Sequence, residues 1–531
     1  MRFGIFLFLF VFVAACCVSR ADDMFKIVEV PEGGLSAVGC DSRIDLRWHP
    51  DADPNVAGYN VYRAVAEKGA FERLNRSTHH YHVYSDFFGE NNRTYWYRVT
   101  KVFRNNRESE PTNTVAAQSR AMTDEELLTS VQLATFQYFW DFAVPESGLA
   151  RTRLNSHDTC STGATGFGLM AIMVAAERAF VTRQEAAERT LEIVAFLQDK
   201  TERFHGAWAH RVNGVTGKTV PSSKDDDGGD LVETSYVIQG MLTVRQYFNQ
   251  DNFVEQEIRR RTTEMWHEVE WDWYLQNPDS KLLYWHWSPR SGWKMNLPIT
   301  GYNECMITYL LAIASPTHPI PAVCYYEGWA DRLGYYNGKK YYGYQQWVGP
   351  DLGGPLFMTQ YSFLGFDPRG KHDKYCNYFE NSRNITLINR AYCIENPRKY
   401  KGYNDLVWGL TASDAPGAYR AHAPGEADDG TITPTAALSA MPYTPSESIA
   451  AMKQFYHIHG LRLWGHFGFK DAFNLEKNWF AESHLAIDEG PIVCMIENYR
   501  SGLCWKMFMA NSEIVPMLEA IGWKNDSGAQ E

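Results

Sequence analysis

Between Gln118 and Met122 the chain changes its hydrophobic period, and that change limits the possible folds more than any other feature. Upstream, "RIDLRWHP", "GYNVYRA" and "TYWYRVTKVF" alternate apolar and polar residues, with Pro, Gly and Asn in the gaps. This is the pattern of short, half-buried strands. Downstream, "TDEELLTSVQLATFQYFWDF" opens with Thr123 and Glu126 spaced as a capping box and continues with apolar residues at helical spacing. Thr182 with Glu185 and Thr444 with Glu447 repeat the device, the latter with Pro445 at the first helical position. The spacing predicts helices over 123–143, 163–180, 183–199, 231–249, 253–275, 301–315, 322–335, 355–366, 381–395, 434–441, 445–459 and 484–500. That many medium helices, joined alternately by short and long loops, suit a ring of helical hairpins. The expected architecture is therefore an (α/α)6 toroid preceded by a small all-β sandwich.

The 531 residues divide as 1–21, an export signal; 22–118, the sandwich; and 119–531, the helical domain. The first segment has one Arg and an apolar run from Phe3 to Val18, short for a membrane span. Ser19-Arg20-Ala21 offers one cleavage site, and Val13-Ala14-Ala15-Cys16 resembles a lipobox that would leave a lipid anchor on Cys16. The expected location is outside the cytoplasm: the periplasm, an outer-membrane or cell surface, or the medium. No later segment reads as transmembrane, and a monomer is expected. Acidic residues outnumber basic ones 63 to 51, a net charge of −12. This argues against a nucleic-acid or anionic-membrane partner. The eight cysteines beyond the signal contain no C-x-x-C pair, so neither a disulfide scaffold nor a structural zinc site is expected, although Cys376 with Cys393 is a candidate local bridge.

The long connections, "RFHGAWAHRVNGVTGK", "LYWHWSPRSGWKMNLPITGYNE", "YYNGKKYYGYQQWVGPDLGG" and "WGLTASDAPGAYRAHAPGEADDGT", are rich in Trp, Tyr, Gly and Asp. Loops of this length are functional or disordered, and these are too aromatic for disorder. Flat ring faces stack on sugar rings while acids and amides bond the hydroxyls, so the pattern favours a carbohydrate ligand. Trp285, Trp287, Trp293, Tyr302, Trp347, Trp408, Tyr419 and His422 are the candidate contacts from these loops.

Glycoside cleavage needs one carboxyl group that stays protonated to assist the leaving oxygen and one ionised group to act as base or nucleophile. Glu233, in the first turn of an apolar helix after "DDDGGD", is the candidate acid, with Asp230 beside it as a binding residue. An EF-hand fails in this stretch: counting from Asp225, the sixth position is Asp230 and not Gly. Asp414, in the small-residue loop "WGLTASDAPGAY", is the candidate second carboxylate, with Asp428 and Asp429 as competitors. Glu304, Asp488, Glu489 and Glu497 lie at other helix ends or interiors and are candidates for bonding sugar hydroxyls. His457, His459 and His466 lack a His-Glu-x-x-His context, and no phosphate-binding loop, dinucleotide fingerprint or G-x-S-x-G elbow occurs. No metal or other cofactor is expected.

Two resemblances follow from these residues. Trp48, Tyr97, "AGYNVYR" and "ESEPTNTV" resemble a fibronectin type III module. "WGLTASDAPGAYRAHAP", "DDGTITPTAALSAMPYTP", "GFGLMAIMVAAERAF" and "AIDEGPIVCMIENYRSGLCWKMFM" resemble the bacterial glucoamylase-like domain, which includes the endo-β-1,2-glucanases of glycoside hydrolase family 144. The second resemblance runs from about residue 125 to 523. It implies the toroid, hydrolysis of β-1,2-glucan to short sophorooligosaccharides with inversion, and no required metal. It also implies Glu233 as general acid and Asp414 as the base that activates water. "HDTCSTGATGFG" departs from the expected glycine-rich, cysteine-free version of that segment. A polysaccharide lyase on the same scaffold and a non-catalytic glycan-binding lipoprotein are the alternatives.

Overall fold

The computed structural model describes residues 25–330 and 335–526. The expected export signal and Cys16 lie outside the described residues.

Seven strands form the N-terminal sandwich: β1 (Leu35–Cys40), β2 (Arg43–Trp48), β3 (Val56–Ala64), β4 (Glu72–Arg73), β5 (Val83–Phe87), β6 (Thr94–Phe103) and β7 (Val115–Gln118). They pair antiparallel as β1-β2-β5 and β4-β3-β6-β7. The alternation in the sequence sends Ile44, Leu46, Val61, Tyr97 and Val99 into the space between the sheets, where Trp48 meets Tyr59 edge to face.

The helical domain follows the expected order, with α1 (Asp124–Trp140), α2 (Thr162–Glu177), α3 (Arg183–Asp199), α4 (Leu231–Tyr247), α5 (Phe253–His267), α6 (Met306–Ala314), α7 (Tyr378–Glu395), α8 (Pro434–Leu438), α9 (Pro445–Leu463) and α10 (Ala486–Arg500). The capping boxes at Thr123 and Thr182 both form, whereas the expected box at Thr444 does not, because the Thr444 hydroxyl bonds the Ala440 carbonyl and Ser448 instead of the first-turn N–H groups of α9. Burial separates two rings. Helices α2, α4, α6 and α10 are buried around nearly their whole circumference, whereas α3 and α5 bury one face. The first group is the inner barrel, and its members pack on one another and on α1.

Two expected helices take other forms. Among the described residues of 322–335 a π turn forms over Tyr325–Trp329, and 355–366 gives two 3-10 turns, Leu356–Thr359 and Tyr361–Phe363. The second case has a visible cause, because its backbone bonds sideways: Leu356 N–H donates to the Leu410 carbonyl, Phe357 N–H to the Thr411 hydroxyl, and the Tyr361 carbonyl accepts from Gln239. Two short helices escaped the periodicity, α11 (Leu503–Met509) and α12 (Ile514–Ala520), the former entered through Gly502 in the left-handed region. Cys376 and Cys393 are both buried free thiols. One precedes α7 and the other sits in its last turn, about 25 Å away along the axis, so the bridge is excluded. No helix among the described residues is long and apolar enough to cross a membrane.

Candidate active site

The sharpest feature of the sequence, "DDDGGDLVE", becomes a junction of two helix N-termini. Asp230 is the N-cap of α4, and its Oδ1 accepts from the N–H groups of Val232 (3.0 Å) and Glu233 (2.9 Å). Glu233 then projects across to the start of α2, where its Oε2 accepts from Gly163 N–H (2.9 Å) and Ser161 Oγ–H (3.1 Å). Ser161 is itself the N-cap of α2. One carboxyl oxygen is thereby fixed by the scaffold and the other faces a cleft of about 360 Å³, which Glu233, Glu304, Trp285, His210, Tyr361 and Tyr419 help to line. Glu304 lies on the same lining, and burial, reinforced by the nearby Glu233, pushes its pKa up to about 7.

Asp414 stands on an adjoining cavity that shares Arg153 and Tyr419 with the first, so both carboxyl groups face one continuous depression. Its Oδ1 is 3.1 Å from Arg153 Nη1, its Oδ2 accepts from Ser483 Oγ–H (2.5 Å), and its backbone N–H donates to Asp471 Oδ2 (2.6 Å). Behind it lies a buried acidic group. Asp471 and Asp488 bear on each other electrostatically, Glu489 Oε1 lies 2.7 Å from His484 Nδ1, and all are buried. Burial raises the pKa of all three; the neighbouring buried acids add to it at Asp488 and Glu489, and the charge of Asp414 adds to it at Asp471, which comes up to about 7. A group so crowded keeps a proton among its members at neutral pH.

The other acids of the opening stretch have protein partners: Asp225 pairs with Lys294, and Asp227 with Ser288 and Arg290. Among the described residues no group of three or more His, Cys, Asp or Glu side chains is spaced to hold a metal ion.

Several candidate contacts stand outside the cleft lining. Glu497 is fully buried in an ion pair with Arg178 at the C-terminal end of α2, whereas the cleft touches that helix at Ser161. On its own helix, α10, Glu497 follows the cleft-lining Ile487 by ten residues, about 15 Å along the axis. Trp408 and Tyr302 are buried, and His422 is sealed beside Asp429 at 3.2 Å. Trp347 is tied down through its backbone to Asn381. Trp287 and Trp293 pack with Trp273 behind the short pairing of Gly229–Asp230 with His286–Trp287. Asp230 and Glu489 are likewise buried beneath the surface and act from behind. In each case an aromatic or acid near the loops was needed to pack loop on barrel. Conversely, Arg153, Ser161, His210, Tyr361 and Ser483 reach the cleft without having been singled out. Only Ser161 carried a signal, as a cap residue directly before an apolar helix.

The chain is similar to known proteins. The family model described as putative glucoamylase matches residues 296–512. An exo β-1,2-glucooligosaccharide sophorohydrolase (non-reducing end) from Parabacteroides distasonis is 44% identical over 504 residues, covering 90% of this chain and 69% of its own. The crystal structure of a β-1,2-glucanase from Parabacteroides distasonis superposes with a TM-score of 0.89 at 43% identity, covering 93% of this chain and 73% of that one. An endo-β-1,2-glucanase from Chitinophaga pinensis, in complex with sophorotriose and glucose, gives a TM-score of 0.74 at 48% identity, covering 76% and 99%.

Proposed function

This chain belongs to the glucoamylase-like family of glycoside hydrolases, and from that premise we propose that it hydrolyses β-1,2-glucan with Glu233 as general acid and Asp414 as general base. The observation that carries the assignment is the placement of these two carboxyl groups on adjoining cavities that share Arg153 and Tyr419, each held by dedicated donors. Ser161 and Gly163 bind Oε2 of Glu233, which leaves Oε1 to deliver a proton to the leaving oxygen. Arg153 and Ser483 orient Asp414 and keep it available to take a proton from an attacking water. An acid and a base that act on opposite faces of the sugar give inversion. Tyr419, shared by both cavities, and Trp285 supply ring faces for the glucosyl units.

Endo cleavage is the expectation from the family motifs. A second mode has a specific observation behind it: the Parabacteroides distasonis protein that matches 90% of the chain is an exo enzyme acting at the non-reducing end. The proposal also includes export on the N-terminal signal, with or without a lipid on Cys16, and action as a monomer. The test is incubation with β-1,2-, β-1,3-, β-1,4- and α-1,4-glucans, following product size with time. Cleavage of β-1,2-glucan alone is expected, and it should be abolished in Glu233→Gln and in Asp414→Asn with the fold retained. An early ladder of oligosaccharides means endo action, and a single disaccharide from the start means exo action. Undiminished turnover in both variants would refute the assignment.

A further inference from the structure

Resting on that reading of Glu233, we propose that His210 is a proton-relay residue that recharges Glu233 after each turnover, with Asp230 holding the imidazole in register. His210 lies on the cleft lining, a third of its side chain exposed, and its main chain is pinned to the start of α2. The Thr162 N–H donates to the His210 carbonyl (3.2 Å), and the Thr162 hydroxyl donates to the Ala209 carbonyl (2.8 Å). From this position the ring spans two carboxyl groups. Its Nδ1 is 3.6 Å from Asp230 Oδ2, and its Nε2 is 4.0 Å from Glu233 Oε1.

The unusual partner is Asp230. Its Oδ1 is engaged in capping α4, but its Oδ2 is fully buried and receives no hydrogen bond from the protein. A buried carboxyl oxygen without a donor costs on the order of 1–3 kcal/mol, so a fold keeps one only where something uses it. Two imidazole Nδ1 atoms flank it, that of His210 and that of buried His286 at 3.7 Å. His286 Nδ1 is also unpartnered and stands 3.5 Å from the largely buried side chain of Asp226. Separations a few tenths of an ångström beyond hydrogen-bond length are common in unliganded active sites and tighten around substrate. Arg153, Arg211 and Glu304 are the other charged or titratable groups on the lining that His210 and Glu233 share. The acidic stretch thus supplies more than a helix cap, because Asp230 faces His210 with its free oxygen and Asp226 faces His286.

An inverting cycle leaves Glu233 as a carboxylate once its proton has gone to the leaving oxygen, while the proton of the attacking water goes to Asp414 and then to solvent. In the relay step the His210 imidazolium transfers its Nε2 proton to Glu233 Oε1. This yields a neutral carboxyl group and a neutral imidazole whose Nδ1–H stays directed at Asp230. Water in the cleft then returns a proton to Nε2.

The experiment pairs kinetics with histidine titration. His210→Ala should lower kcat by about tenfold or more, within the range of general acid–base effects, with KM changed far less. It should also alter the pH profile and recover activity with added imidazole, whereas Glu233→Gln should not recover. Asp230→Asn keeps the cap oxygen and should reproduce part of the loss. Independently of turnover, in 13C-histidine-labelled full-length protein the resonance missing from His210→Gln should titrate lower in Asp230→Asn, which removes a carboxyl whose pKa burial raises to about 7 and that therefore ionises over the imidazole's own range. If the wild type fails to cleave β-1,2-glucan but this shift appears, the substrate assignment falls and the relay contact stands. Unchanged titration in Asp230→Asn, or an effect of His210→Ala on KM alone, overturns the relay.

Discussion

Replacing Asp488 by Asn tests whether the acids behind Asp414 are joined by a proton. Asp471 Oδ1 and Asp488 Oδ2 are fully buried and find no N–H or O–H donor from any other group. Two bare carboxylates cannot sit so, but one carboxyl and one carboxylate can. Burial, then the charge of Asp471, raises the pKa of Asp488, which makes Asp488 the proton holder and Asp471 the acceptor. Because the native pKa is raised, the native protein keeps a proton that the unfolded chain releases above about pH 4. The stabilisation is complete below that pH and declines as pH rises towards the native value, with a slope of about 1.4 kcal/mol per pH unit. Between pH 5 and 7 the wild type should therefore lose about 3 kcal/mol relative to a side chain that cannot ionise. In Asp488→Asn the amide still donates to Asp471 and still accepts from the Tyr361 hydroxyl, so the variant should fold and gain on the wild type as pH rises. Calorimetric unfolding at pH 5, 6 and 7 reads the difference. Parallel pH dependences for the two proteins would refute the shared proton. Asp488→Leu, which leaves Asp471 Oδ1 without a donor, should instead be destabilised at all three pH values.

Gly163→Ala should cost at least about tenfold in kcat, because a Cβ there would lie 2.6 Å from Glu233 Oε2 and 2.9 Å from the Tyr236 ring; steady-state kinetics beside an unchanged circular dichroism spectrum checks it. Asp141→Asn should lower stability at neutral pH by about 3–5 kcal/mol, as expected when a buried pair is broken, because burial would raise the Asp141 pKa but Arg47 and His82 hold it well below the usual carboxylate range. A depressed pKa stabilises above the unfolded value and is lost as pH falls through the native one, so the two proteins should converge only in strong acid.

The sandwich, the capping boxes at Thr123 and Thr182 and most of the helical order were legible because period and cap chemistry act within a few residues. Glu233 was legible for the same reason, as a local pattern of acids before an apolar helix. Where elements satisfy their backbone by bonding sideways, as at Leu356 and Phe357, the local pattern indicates a helix and the neighbours decide otherwise. The cleft contacts were legible only as a collection. Tryptophan and tyrosine serve loop packing and sugar stacking with the same ring face, so Trp285 reaching the cleft and Trp408 not reaching it is settled by the closed barrel, not by either residue's neighbours in sequence. Arg153, His210 and Ser483 come from three separate connections, and nothing near them in sequence marks the partner each finds across the cleft.

The sandwich carries no cleft residue, yet it is not remote from the chemistry. Asp471 and Ser483, which hold the backbone and the side chain of Asp414, both belong to the connection between α9 and α10. That connection begins with the hairpin of Trp464–Gly465 and Gly468–Phe469, and the sandwich sheet β1-β2-β5 packs directly on it. Trp464 donates to Ser85, His466 packs against His79 and Tyr84, and Tyr81 meets Phe467, whose ring in turn touches His484, the partner of Glu489. Arg43 of β2 is fully buried over the Trp464 ring and bonds Ser130 of α1, and Arg47 pairs with Asp141 just past the end of that helix. Burying an arginine is favourable only when its charge is paired and its position fixed, so the interface resists sliding. A base whose orientation depends on a long connection needs that connection immobilised to within a fraction of an ångström. The sandwich supplies a packed wall for that connection from outside the ring, beside the contacts that α1 and α9 make with the same hairpin.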